Sequence, residues 1–126
     1  MNLPISARLL VTLLLVAAIV TLSIVPGRHQ PGDSAFVWLV SVTPTLLQKF
    51  LHVVAYATLT LLLVWSLEKL NSVPLRFASA FAVTVAMGVV LEWYQTSVPG
   101  RFGTLTDVLL NAAGSIVGVI AAVLLL

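Results

Sequence analysis

A cluster of polar side chains interrupts an otherwise apolar chain in the stretch LEWYQTSVPGRFGTLTDVLLNAAG, residues 91–114. Its ionisable and amide members are Glu92, Gln95, Arg101, Asp107 and Asn111. A carboxylate in apolar surroundings can act as a general base, carry a proton or bind a ligand. An arginine in a tight glycine loop, as in PGRFG, can clamp a phosphate or carboxylate through two hydrogen bonds. The stretch therefore contains the groups that a binding site or an acid–base site requires.

A second polar stripe precedes this cluster in the sequence. Lys49, His52 and Tyr56 are spaced i, i+3, i+7, which places them on one face of a helix. His52 could be a metal ligand, a proton shuttle or a structural hydrogen-bonding residue. With Glu92 and Asp107 it would complete a facial triad of metal ligands. Because HExxH-like or histidine-rich spacing is missing, we expect no metal site and no cofactor.

The composition indicates which elements must position these side chains. The 126 residues are 60% hydrophobic and 8% charged, and their mean hydropathy is +1.15. A helix needs about 20 apolar residues to cross a bilayer, and within lipid its backbone must satisfy its own hydrogen bonds. We therefore predict an all-α, polytopic membrane protein with a single transmembrane domain, residues 1–126. Its antiparallel bundle has four helices, at about 5–25, 46–67, 75–98 and 106–126.

The longest connection lies between the first and second predicted helices. It begins as PGRHQPGDS and continues as AFVWLVSVTP, an apolar stretch too short to span a bilayer. This stretch could form a short interfacial helix with Trp38 at headgroup level. Trp65 and Trp93 are predicted to be interfacial anchors as well. Arg8 before the first apolar run resembles the start of a signal peptide, but the run is long and lacks an obvious cleavage site, so we expect a retained helix.

The antiparallel order brings the polar residues to one end of the bundle. The second predicted helix begins, the third ends and the fourth begins at this end. The polar stripes of the third and fourth helices consist of Gly88, Glu92 and Gln95, and of Asp107, Asn111, Gly114 and Gly118. Polar edges at membrane depth should face the bundle interior, and small residues let helices approach closely. We therefore expect a polar pocket that is open to one aqueous face and closed below by glycine-mediated packing.

Three motifs, KFLHVVAY, LEWYQTSVPGR and an aspartate followed by NAAGSIVG, resemble the VanZ-like family of small bacterial membrane proteins. The matching positions are Lys49, His52, Tyr56, Glu92, Gln95, Arg101, Asp107, Asn111, Gly114 and Gly118. The resemblance covers about the last two-thirds of the chain, and no residue of the first helix takes part in it. It implies a bacterial membrane protein, and the family's namesake is an accessory protein of glycopeptide-resistance gene clusters linked to teicoplanin resistance.

Several of these residues also have a structural interpretation. Glu92 could pair with Lys49 or His52 and hold helices together, although buried ion pairs add little stability. Asp107 follows Thr104 at the spacing of a capping box, and an acid in the first turn of a helix suits the helix dipole.

The remaining polar residues have similar alternatives. Asn111 lies one turn deeper than the cap and needs a partner, which Gln95 or Glu92 would supply across the helices. Arg101 could close over Glu92, or it could face lipid headgroups. Lys49 is most simply an interfacial lysine whose charged end reaches towards water, with anion binding as the second interpretation.

Composition and motifs exclude several functions. The chain contains no cysteine, which removes disulfides, thiolate metal sites and cysteine nucleophiles. Its six basic residues are scattered and its net charge is +2, so we expect no nucleic-acid partner. No Ser/His/Asp order, nucleophile elbow or phosphate-cradling glycine loop is present, so no catalytic residue is assigned and an enzymatic role is disfavoured but left open.

Basic residues only weakly indicate the orientation in the membrane. A cytoplasmic N-terminus puts three on each side: Arg8, Lys69 and Arg76 inside, and Arg28, Lys49 and Arg101 outside. If Lys49 and Arg101 serve a site, the remaining residues favour cytoplasmic N- and C-termini in a bacterial inner membrane. Glu68 and Lys69 are predicted to form a solvated helix end at the face opposite the cluster.

Three functions fit this sequence. The first is an envelope protein whose pocket binds a lipid headgroup or a cell-wall lipid intermediate. The second is a small structural accessory subunit of a larger membrane protein complex, with membrane lipids as its other partners. The third is an intramembrane enzyme with Glu92 and His52 as acid and base. The pocket requires Glu92 to lie within hydrogen-bond reach of Lys49, His52 or Asn111, and Arg101 to close over it.

Overall fold

The structure is a computed structural model that describes residues 3–24, 31–98 and 104–126. Within these ranges all regular structure is helical. The helices are α1 (Ile5–Ile24), α2 (Ala35–Val42), α3 (Thr45–Ser66), α4 (Val73–Gln95) and α5 (Leu105–Leu125). The four longer helices are each long and apolar enough to cross a membrane. The predicted all-α, multi-pass membrane fold is therefore confirmed, and the apolar part of the first connection forms α2.

Local sequence signals explain where the helices begin and end. The Ser72 hydroxyl accepts the Leu75 N–H at 3.3 Å, and a proline occupies the first turn of α4, so α4 begins slightly earlier than predicted. It also ends earlier, at Gln95, because residues 96–98 form hydrogen-bonded turns instead of continuing the helix. These are displacements of a few residues at helix ends, where turn and helix geometries compete.

Helix α2 is held close to the start of α3. The Ser34 hydroxyl caps α2 by accepting the Val37 N–H at 3.3 Å. Thr43 follows α2, and Pro44 then serves as the N-cap residue of α3. Proline restricts the residue before it to extended backbone, which ends α2 and turns the chain directly into α3.

Helices α3 and α5 are parallel and pack closely along a glycine stripe. A Cβ atom on Gly114 would lie 2.6 Å from the Val53 carbonyl oxygen, and one on Gly118 would lie 2.4 Å from that of Ala57. These distances are too short for any side chain, so the two backbones touch only because both positions are glycine. The predicted small-residue step therefore joins α5 to α3.

Helix α1 runs antiparallel to α3 and is tied to its far end by Arg8. The Arg8 guanidinium pairs with Glu68, donates to the Trp65 carbonyl at 3.2 Å and lies 5.0 Å from the centre of the Trp65 ring. One turn further, the hydroxyls of Thr12 and Ser66 are hydrogen-bonded at 3.0 Å. Glu68 is therefore more than a solvated helix end, because it holds the first helix of the bundle.

The tryptophans do not all lie at the surface, as had been predicted. Trp38 and Trp93 are 51% and 76% exposed, as lipid-facing anchors would be. Trp65 is only 6% exposed, so its assignment as an interfacial anchor is wrong. Its ring lies beneath the Arg8 guanidinium, because a cation at membrane depth gains stability from an aromatic face.

The α3–α4 connection lies at the end of the bundle opposite Glu92. Lys69 is exposed in this connection, and Arg76 in the first turn of α4 donates to the Val64 carbonyl. Sixteen residues of helix separate positions 76 and 92, a distance of about 24 Å at 1.5 Å per residue. Lys69 and Arg76 are therefore placed where the sequence predicted.

Candidate functional site

The start of α3, the end of α4 and the start of α5 meet at one end of the bundle. His52 on α3 contacts Asn111 on α5, with 2.9 Å between Nδ1 and Oδ1. Gly88 on α4 lies against the same asparagine, and Glu92 one turn further along α4 contacts the N-cap of α5. The three polar stripes therefore face one another.

Glu92 is 4% exposed, and its carboxylate lies at the beginning of α5. Its Oε2 accepts the backbone N–H of Thr104 at 3.3 Å. Among the described residues its partner is the N-cap residue of α5, and no hydrogen bond or ion pair joins it there to the three candidates Lys49, His52 and Asn111. The positive end of the α5 dipole favours an anion at this place.

Asn111 is 1% exposed and pairs with His52 instead of Gln95 or Glu92. The glycine stripe draws α5 against α3, so Asn111 meets the polar stripe of α3. The His52 ring stacks on Tyr56, with ring centres 6.3 Å apart and planes at 13°. Asn111 and Tyr56 together fix the position and the plane of the imidazole.

Gln95 is buried and connects α4 to α1. Its Nε2 donates to the Ser23 carbonyl at 3.2 Å. Ser23 lies in the last turn of α1, where carbonyl groups have no partner within the helix, so Gln95 provides a cap from another helix. The residue was predicted to belong to the polar pocket, and its hydrogen bond stabilises the end of α1 that lies nearest the cluster.

The other predicted site residues lie at the rim or outside the described ranges. Lys49 is half-buried and has no hydrogen-bond or ion-pair partner among the residues that the structure describes. Asp107 is half-buried, and its N–H donates to the Thr104 hydroxyl at 3.1 Å, as a helix cap requires. Arg101 lies outside the described residues, so its closure over the pocket stays a prediction.

The structure has a cavity of about 350 Å³ between α1, α2 and α3. Its lining consists of Leu15, Ile19, Leu22, Ser23, Val40, Thr43, Gln48, Leu51, His52, Val54, Ala55, Tyr56, Thr58 and Gln95. Of the predicted polar cluster, only His52, Tyr56 and Gln95 line this cavity. Along the described part of the bundle, the glycine stripe brings α5 into contact with α3, and the polar pocket expected between α3, α4 and α5 stays a prediction.

The cavity-lining residues of α1 and α2 carry no motif in the sequence. Leu15, Ile19 and Leu22 look like any lipid-facing residues of an apolar helix, and the same is true of Val40. One available signal was the apolar stretch after PGRHQPGDS, because a short helix beside the start of α3 has to cover something there.

No group of three or more histidine, cysteine or acidic side chains is placed to hold a metal ion among residues 3–24, 31–98 and 104–126. His52 and Glu92 are each contacted by a group of α5, His52 by the Asn111 side chain and Glu92 by the Thr104 backbone N–H.

Comparison with known proteins identifies a family. A family model described as VanZ/LLP1 matches residues 8–126, which includes α1 from Arg8 onwards as well as the three motifs. No curated protein and no solved structure matches the chain.

Proposed function

The chain belongs to the VanZ/LLP1 family, and we propose that it is a bacterial inner-membrane protein that binds a membrane lipid in the cavity between α1, α2 and α3. The observation that carries this proposal is the amphipathic order of the cavity wall. Ser23, Thr43 and Gln48 lie near the helix ends, where a headgroup would be. Leu15 and Val54 lie deeper, where an acyl chain would be.

The length of the cavity fits one leaflet. Its lining extends along α3 from Gln48 to Thr58, which is about 15 Å of helix. The hydrocarbon core of a bilayer is about 30 Å thick, so this is about half of it. An acyl chain placed beside α3 would therefore run from the interface towards the bilayer centre without leaving the cavity.

The charge at the rim favours an anionic headgroup. Lys49 follows Gln48 in the first turns of α3 and has no partner among the described residues. A lysine near an anionic headgroup contributes about 1 kcal/mol. A phosphatidylglycerol or a phosphate-linked cell-wall lipid intermediate has the required combination of a negative headgroup and a long apolar chain.

Native mass spectrometry on the purified full-length chain tests the proposal. Ala55 lines the cavity, so Ala55→Phe would fill it, whereas Ala113 on α5 is exposed and its replacement by Phe leaves the cavity open. We expect phosphatidylglycerol to remain bound to the wild type and to Ala113→Phe but not to Ala55→Phe. Equal lipid retention by both variants would contradict the proposal. A lipid-free protein that copurifies with a partner in fixed ratio would favour an accessory-subunit role.

Orientation decides which leaflet supplies the lipid. We propose that both termini are cytoplasmic, which places the cavity in the outer leaflet, where exported cell-wall intermediates and glycopeptide antibiotics meet. A contribution to teicoplanin resistance would follow from binding such an intermediate. Expression in a susceptible host should then raise teicoplanin tolerance for the wild type and not for Ala55→Phe, and equal tolerance of the two strains would remove this part of the proposal.

A further inference from the structure

The two ring nitrogens of His52 have different surroundings. Nδ1 lies 2.9 Å from Asn111 Oδ1, and the ring is stacked on Tyr56. Nε2 has no hydrogen-bond partner among the described residues, and His52 lines the cavity. Nε2 is therefore the nitrogen available to a bound molecule. A neutral imidazole carries one proton, so Nε2 is a donor only if Nδ1 is the acceptor.

The Asn111 amide decides which nitrogen carries the proton. With Oδ1 facing His52, the Asn111 Nδ2 group is buried and has no hydrogen-bond partner within the described chain. An unpaired buried N–H is costly, whereas a carbonyl oxygen tolerates partial pairing better. A half-turn about the Cβ–Cγ bond exchanges the two amide atoms within the same volume.

Gly88 makes the exchanged orientation the favourable one. A Cβ atom added to Gly88 would point at Asn111. It would lie 3.1 Å from the side-chain amide atom on that side. A glycine carries a hydrogen in this direction, and a Cα–H can donate weakly to a carbonyl oxygen. After the half-turn the oxygen faces Gly88, and the amide nitrogen donates to His52 Nδ1. Both amide atoms then have partners.

We propose that Asn111 is a positioning residue that keeps the His52 proton on Nε2, so that His52 donates a hydrogen bond to an oxygen of the lipid bound in the cavity. This inference rests on the proposed lipid-binding function. The oxygen belongs to the headgroup region, either an ester carbonyl or a phosphate, because His52 lies two turns below the start of α3.

Nitrogen-15 NMR of the histidine side chains tests the tautomer directly. The chain has two histidines, so the variant His29→Gln leaves His52 as the only signal. We expect an unprotonated Nδ1 and a protonated Nε2. Asn111→Asp presents only acceptor oxygens and should place the proton on Nδ1. A protonated Nδ1 and unprotonated Nε2 in His29→Gln would overturn the proposal, whatever the lipid experiments show.

Two substitutions of His52 separate its two nitrogens. His52→Gln can keep a donor near the position of Nε2, whereas His52→Asn can keep one only near Nδ1. We expect His52→Asn to bind phosphatidylglycerol about five- to tenfold more weakly than His52→Gln, the effect of one lost hydrogen bond. Equal affinities of the two variants, with Ala55→Phe still abolishing binding, would overturn the role of His52 and leave lipid binding intact.

Comparing phosphatidylglycerol with its dialkyl ether analogue and with diacylglycerol identifies which oxygen accepts the hydrogen bond. Weaker binding of the dialkyl ether analogue of phosphatidylglycerol to the wild type, with the difference lost in His52→Asn, would identify the ester carbonyl. The same pattern with diacylglycerol would identify the phosphate. If neither lipid distinguishes the wild type from His52→Asn, the inferred hydrogen bond is wrong.

Discussion

The buried carboxylate of Glu92 on α4 accepts the backbone N–H of Thr104, the N-cap residue of α5, at 3.3 Å. In a capping box, a side chain in the first turn of the same helix binds this N–H. Here Asp107 supplies only its own N–H to the Thr104 hydroxyl, and an acid from the preceding helix binds the N-cap backbone. Glu92 therefore has a structural role at the beginning of α5.

Loss of the Glu92 carboxylate should destabilise the start of α5. We expect Glu92→Ala to lower the free energy of unfolding by about 1 kcal/mol, because the N-cap N–H of α5 loses its acceptor and the buried carboxylate is replaced by a smaller side chain. Glu92→Gln keeps an acceptor oxygen and should cost less. Unfolding in mixed micelles, followed by circular dichroism, measures both. Thr104→Ala is the control that removes the hydroxyl cap but keeps the backbone N–H. A Glu92→Ala protein as stable as the wild type would show that this hydrogen bond contributes nothing.

The glycine stripe should be the most sensitive part of the bundle. Gly118→Ala would place a Cβ 2.4 Å from the Ala57 carbonyl oxygen, and backbone cannot move aside as a side chain can. We expect a loss of roughly 1–3 kcal/mol from overpacking, measured as resistance to denaturation by sodium dodecyl sulfate. Gly88→Ala meets only side-chain atoms, at 3.1–3.2 Å, and should cost less. The reverse order of the two variants would contradict the observed packing of α5 on α3.

The Arg8 end of α1 should cross-link to α3. The hydroxyls of Thr12 and Ser66 are 3.0 Å apart, and the chain contains no cysteine, so the pair Thr12→Cys with Ser66→Cys gives a signal without background. We expect rapid disulfide formation in membranes under mild oxidation, and slower formation when Arg8→Ala is added. The pair Thr21→Cys with Ser66→Cys joins opposite ends of the bundle and should not cross-link. Failure of the first pair would place α1 elsewhere.

The other end of α1 depends on Gln95. Gln95→Ala removes the hydrogen bond to the Ser23 carbonyl and leaves the last turn of α1 without this cap. Hydrogen exchange of the amides in the last turns of α1 should become faster, while exchange in the first turns, held by Arg8, should not change. Mass spectrometry of peptides from the exchanged protein separates the two halves of the helix. Uniform acceleration along α1 would show that the two ends are not independent.

The sequence alone determined the class of fold, the number of spanning helices and the end of the bundle at which the polar residues meet. Hydrophobic runs of the length of a bilayer leave helices as the only structure that satisfies the backbone, and short connections make successive helices antiparallel. The spacing of Thr104 and Asp107 predicted the helix cap because capping is a local interaction, formed within one turn.

Tertiary structure decided which polar residues pair and where the cavity lies. Helical periodicity predicts which residues share a face of a helix. It does not predict which of two neighbouring helices packs against that face. Gly114 and Gly118 brought α5 onto α3, so Asn111 met His52. Helix α1 is held by Arg8 at one end and by Gln95 at the other, and the cavity lies towards the Gln95 end. Between these ends Ile19 packs into the core against Tyr56 and Leu59. These pairings are set by the distances between backbones, which depend on contacts far apart in the sequence.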